Sequence, residues 1–226
     1  MAYINRVFFL AMISFIISFF AILFLNLKEI KIYKAPIKQL QISNFIEIKA
    51  VPISSVVFIA GFSYGSILAF LSLYTQNLNL TSGVFYYPFY SVFAIVSVWI
   101  YGKIFDDKKE NFATMLSLFL FFISLIVLSK AKNNFHILIS AFFLAFDWAS
   151  IKSLCQTIAI KLSPKDKIGL ANSTFFIFVN LGIGISLYIL GMFEPIFGFR
   201  GVYQISAFAL ILGMIFYYKF VWKSFK

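Results

Sequence analysis

Few residues in this chain are equipped for chemistry: one histidine, one cysteine, eight acids, and a serine in the run GFSYG. That run spans Gly61 to Gly65 and fits two patterns. As G-x-S-x-G it matches the turn that presents a nucleophilic serine, here Ser63. As G-x-x-x-G it matches the spacing that lets two membrane helices approach closely. A nucleophile needs a strand–turn–helix setting and a histidine. The sole histidine, His136, starts a different apolar run just after Asn133–Asn134. Ser63 lies mid-run, roughly 20 Å from the outer end of its own helix at about 1.5 Å per residue. The expectation is packing, by Gly61 and Gly65 here and by Gly182 and Gly184 later in the chain. An intramembrane serine hydrolase is the remote alternative.

The segment AFDWASIKSLCQ places Asp147 and Lys152 among apolar neighbours. A charge at mid-membrane costs several kcal/mol unless it is paired or faces water. Five residues on a helix is about 140°, so the two charges do not share a face. Lys152 shares its face with Trp148 and Gln156. Asp147 is expected to point into the helix bundle, either lining a pathway or pairing with another helix. Lys152 either pairs or snorkels to the interface. There is no HExxH, no CxxC, no histidine pair and no P-loop. No metal site and no cofactor are expected, and nothing in the chain would hydrolyse ATP.

These residues must be positioned by apolar elements. The chain is 226 residues long, 62% hydrophobic and 12% charged, with 32 Phe. A soluble core of this size cannot bury that much apolar side chain. From Ala50 to Gly102 there are 53 residues without a charge. About 20 apolar residues cross a bilayer, so that stretch holds two spans. The runs are too long, and alternate too little, for barrel strands. An all-α membrane protein with seven helices is predicted, at 5–27, 53–76, 84–102, 112–129, 135–160, 168–192 and 201–219.

The net charge of +11 does not signal nucleic acid, because the charges sit in short gaps between apolar runs. Instead it gives orientation. Fourteen of the 19 basic residues fall in alternate connections and the C-terminal tail. By the positive-inside rule that side is cytoplasmic and the N-terminus is outside, in a plasma membrane of bacterial type. The first run, Val7 to Leu27, is longer than a signal peptide's apolar region and lacks a clear A-x-A site, so it is expected to be retained. Three regions follow: a leading helix (1–27), a basic linker (28–50) and a six-helix bundle (51–226). The linker is either an amphipathic stretch on anionic lipid or an unstructured connection. Cys155 lies alone within an apolar run, so no disulfide framework exists within the chain.

Four segments carry a family resemblance. YGKIFDDKKEN, Tyr101 to Asn111, resembles the cytoplasmic loop signature of the major facilitator superfamily, Gly-x-Leu-x-Asp followed by basic residues. Gly102, Ile104 and Asp106 fit it; Asp107 stands where a basic residue is usual. QTIAIKLSPKDKIGLANSTFFIFVNLGIGI, Gln156 to Ile185, resembles the helix 10–loop–helix 11 segment of that family's bacterial drug and metabolite exporters. FSYGSILAFLSLY, from Phe62, is similar to its seventh helix, and GFRGVYQIS, from Gly198, to the start of its twelfth. The resemblance covers nearly the whole chain but only the second half of the family's architecture. Residues 51–226 would be the C-terminal bundle and the first helix the family's sixth. Val98 replaces a common arginine, and Asp147 and Ala149 replace usual glycines.

The resemblance implies a secondary transporter, or half of one, moving a small organic molecule, with proton-coupled efflux as the expected activity and no enzymatic one. Tyr64, Asp147, Gln156 and Asn180 become candidate substrate-pathway residues, with Asp147 as proton acceptor. Gly102, Lys103 and Asp106 become the cytoplasmic gate. The family's path runs between two bundles that rock against each other, so one bundle lacks a second wall. The implied partners are lipid, a small-molecule substrate, and either a separate N-terminal half or a second copy. The alternative is a non-transporting relic or interaction module.

Overall fold

The computed structural model describes residues 12–21 and 45–222, except the side chains of 105–109. The chain divides into two compact units, Met1–Leu40 and Gln41–Lys226. In the first, the apolar helix α1 (Met12–Ala21) is the described part of the expected span 5–27. Residues 28–44 of the expected linker lie outside the described residues. Its last residues, 45–50, are described. They belong to the second unit, where Glu47 and Ala50 are buried and Ile48–Ala50 forms a 3-10 turn.

The second unit is built from α2 (Val51–Asn77), α3 (Gly83–Ser129), α4 (Asn134–Ala145), α5 (Trp148–Leu162) and α6 (Ile168–Phe216). A π-helical turn follows, Tyr217–Val221. Among the described residues there is no strand, and five helical stretches are long and apolar enough to cross a membrane. The protein is an all-α membrane protein. Its count differs from seven because the expected sixth and seventh spans form one run of 57 residues, Lys165–Val221, and α1 is short.

Sequence explains the ends of these helices. Pro52 sits in the first turn of α2, where its missing N–H costs nothing. Asn79 takes the left-handed conformation (φ 53°) after the α2 C-terminus, and Leu80 N–H returns to Thr75 O at 2.8 Å. Asn133 caps α4 by accepting from His136 N–H at 3.1 Å, and Asn134 accepts from Ser82 N–H at 3.2 Å. One asparagine pair therefore fixes the starts of two helices.

Two helices are too long to be straight rods. At about 1.5 Å per residue α3 would reach about 70 Å, roughly twice a bilayer core. It folds back instead. Tyr86 and Ser124 both bond Ser140, at 3.2 Å each, which puts the reversal near residue 105, halfway between them. The expected loop at 103–111 is thus helical in backbone while the chain turns. Nothing in KIFDDKKEN after Gly102 breaks a helix, so charge marked the turn without ending the hydrogen bonding. The second long helix, α6, reverses at Gly198, whose φ of 68° suits glycine alone.

The two arms of α6 flank α2. On the first arm Val179 and Ser186 face Gly61 and Gly65; on the second, Ser206 and Gly213 face Ser63 and Ile59. The core joins these three rods to α4 and α5 through Val57, Phe175, Tyr203, Ala141, Ile151 and Ile158. The outer face of Gly83–Ile104, with Val84, Val92, Ile95 and Trp99 exposed, is apolar enough for lipid.

Candidate functional site

The expected helix 135–160 is broken in its middle. It ends as α4 at Ala145 and restarts as α5 at Trp148. Asp147 is the residue at the break. Its N–H reaches back only to Leu144 O, at 3.1 Å, and its own carbonyl accepts from Ile151 N–H at 2.6 Å. Aspartate is favoured at a helix start, although its side chain makes no capping bond here. Asp147 is 0% exposed, and neither carboxyl oxygen has a hydrogen-bond partner.

Four tyrosines feel the charge of this carboxyl without bonding it. Tyr64 of α2 and Tyr86, Tyr90 and Tyr101 of α3 lie within its electrostatic reach. Tyr64 stacks on Trp148, with ring centroids 4.2 Å apart and 11° between planes. That stack ties α2 to the first turn of α5. Tyr64 and Asp147 are therefore brought together, as neighbours on packed helices.

Gln156 and Asn180 are placed elsewhere. Gln156 lies towards the far end of α5 and donates to Asn172 Oδ1 at 2.6 Å, joining α5 to the first arm of α6. Asn180 is exposed on α6 and donates to its own helix, at Phe176 O, 2.8 Å. It fronts an open groove of about 530 Å³ with Phe176, Ile177, Leu181, Gly184 and Ile185. The four candidate pathway residues thus fall into a pair of buried Asp147 and half-buried Tyr64, an interhelical tie and an open face.

The four packing glycines also divide. A Cβ on Gly61 would meet Val179 O at 2.8 Å, one on Gly65 would meet Ser186 Oγ at 1.8 Å, and one on Gly182 would meet Phe58 O at 2.2 Å. All three lie where α2 meets the first arm of α6. A Cβ on Gly184 meets nothing within 4 Å, because its helix face is turned away from α2. Among the described residues Gly184 packs against nothing, unlike the other three. Ser63 donates to Ser206 O at 2.9 Å and to Ile59 O at 3.1 Å. It sits within α2 and not on a strand–helix turn, while His136 pairs with the side chain of Asn133.

The end of the unit that holds the α5–α6 connection is basic and cross-tied. Lys161 meets Glu110 at 2.7 Å and Lys167 meets Glu47 at 3.6 Å. Tyr217 donates to Asn111 Oδ1 at 2.9 Å, and Asn111 donates to Trp222 O at 3.1 Å. Glu47 was not expected as a functional residue. Its backbone N–H donates to Thr174 Oγ1 at 2.9 Å and its side chain accepts from Lys49 N–H at 3.3 Å. The signal for it was an acid, one of two with Glu29, in a Lys-rich stretch. Lys103 lies over Trp99, 5.1 Å from the ring centroid, and Gly102 opens onto a cavity. The side chain of Asp106 lies outside the described residues.

Known proteins resemble this arrangement. Residues 3–186 match the family model described as Major Facilitator Superfamily. Among solved structures, a POT family transporter crystallised in complex with a thioalcohol-conjugated peptide is 26% identical, with a TM-score of 0.65. That match covers 80% of this chain and 41% of the transporter, so this chain spans about two fifths of its relative's length. No curated protein matches.

Proposed function

Because this chain belongs to the major facilitator superfamily, we propose that it is one bundle of a secondary transporter that carries a small organic molecule across a membrane. One observation carries this reading: the family match combines with a structural match, at a TM-score of 0.65, to a POT family transporter of which this chain covers 41%. Transport between bundles needs two walls. The groove at Asn180 and Gly184 is where the second wall would lie, supplied by a separate N-terminal half or by a second copy. Gly184, which packs nothing here, would then allow close approach across that boundary.

In this mechanism Asp147 binds and releases the coupling proton. A carboxyl held inside the membrane, on a helix broken at that residue, is the kind of group that marks ion or proton pathways. The Tyr64–Trp148 stack passes movement between α2 and α5. The Gln156–Asn172 bond and the two ion pairs hold the basic end closed, with Gly102, Lys103 and Asp106 as its gate. The basic end lies in the cytoplasm of a bacterial cell and transport runs outward. A peptide-like substrate is the second reading, supported by the ligand of the 26% identical transporter.

The test uses membrane vesicles from cells making the chain, with a pH gradient imposed. Candidate organic cations and dipeptides should each be tried for substrate-induced proton flux. Flux above that of vesicles without the chain, abolished by Asp147→Asn, is expected. Flux equal to the control for both variants would favour the non-transporting alternative.

A further inference from the structure

A second cavity, of about 320 Å³, lies between the first arm of α3 and α5. Val98, Tyr101 and Gly102 form one wall; Ser150, Ser153, Leu154 and Thr157 form the other. Spacings of three and four put each set on one helix face. Tyr101 lines this cavity, is 3% exposed, and its hydroxyl has no hydrogen-bond partner. Gly102 leaves room: a Cβ there would meet nothing within 4 Å.

The cavity has two distinct ends. At the inner end Ser150 Oγ meets Ser97 Oγ at 3.3 Å. Asp147 lies one helical turn beyond Ser150, within electrostatic reach of Tyr101. At the outer end Thr157 is one turn from Lys161, which is paired with Glu110 at the basic end. The lining therefore begins one turn from a buried, unpartnered carboxyl and ends one turn from the ion pair at the charged surface.

We propose that this cavity is an aqueous path by which Asp147 exchanges protons with the solution at the basic end, with Tyr101 and Ser150 lining its inner end. This rests on the proton-coupled reading above and adds where the proton enters. The titratable groups within electrostatic reach of Asp147 are Tyr64 from α2 and Tyr86, Tyr90 and Tyr101 from α3. Lys152, on its own helix, is rotated by about 140° and does not share its face. The path lies within one bundle, so proton entry does not depend on the second wall.

The test is cysteine labelling in membranes, in a Cys155→Ala background. Ser150→Cys, Ser153→Cys and Thr157→Cys are each exposed to a membrane-impermeant trimethylammonium methanethiosulfonate. Val92→Cys on the exposed apolar face is the unreactive control. All three cavity cysteines should label, with Ser150→Cys slowest. Gly102→Leu should slow Ser150→Cys about tenfold, a barrier rise of about 1.4 kcal/mol. Gly102→Ala, which adds only a Cβ to open space, should slow it less and covers the case in which the leucine variant does not fold. Ser150→Cys as inert as Val92→Cys, or a rate indifferent to residue 102, overturns the proposal. Labelling requires no transport, so its failure is distinguishable from failure of the transporter reading.

Discussion

Gly182 and Gly184 are two residues apart on one helix and live in opposite surroundings. A Cβ on Gly182 would press on the backbone of Phe58 at 2.2 Å; one on Gly184 would touch nothing. One face of the first α6 arm is a finished interface, with Val179 and Ser186 against α2. The other, with Asn180, Leu181 and Ile185, is an open apolar groove. Small residues in a membrane helix mean close approach only where a second helix arrives. The first face shows which helix arrives; the second meets no helix among the described residues.

The largest expected effect is at the finished face. Gly182→Val should lower stability by about 3 kcal/mol or more, because backbone cannot rotate away from the added methyls. Thermal unfolding in detergent checks it, and an unchanged midpoint would break the comparison. Gly65→Ala should cost less, about 1–3 kcal/mol, since the colliding atom is the Ser186 hydroxyl and can move. Combining it with Ser186→Gly should recover part of that loss in a double-mutant cycle.

The open face should respond with the opposite sign. Gly184→Ala should leave stability unchanged or raise it by up to about 1 kcal/mol, because a helix interior prefers alanine. Smallest of all, Asn180→Ala removes only a bond to its own helix and should change stability by no more than about 0.5 kcal/mol. A Gly184→Ala protein that unfolds early would mean that this face is already packed.

Much of the fold was legible because apolar runs without charge have only one stable setting, a membrane helix with its own backbone bonds satisfied. GFSYG was legible as packing because Ser63 lacked a histidine at its depth. Other features were not. Gly182 and Gly184 look alike in a sequence, since which face meets α2 depends on how the helix is rotated. The break at Asp147 has no proline or glycine to announce it. The turn inside α3 reads as a loop in the sequence because KIFDDKKEN is charged, and charge reports the water surface without reporting the backbone. Glu47 was hidden in a Lys-rich stretch, although it is buried against Thr174 and Lys167.

The central claim is that the groove beside Gly184 is covered by a second bundle in the membrane. The direct measurement places a photo-crosslinking amino acid at Asn180 and irradiates intact membranes. A protein adduct heavier than the chain by at least one further bundle is predicted, lost when Gly184→Trp fills the groove. Irradiation that yields only the unlinked chain and lipid adducts, with and without the tryptophan, would contradict it.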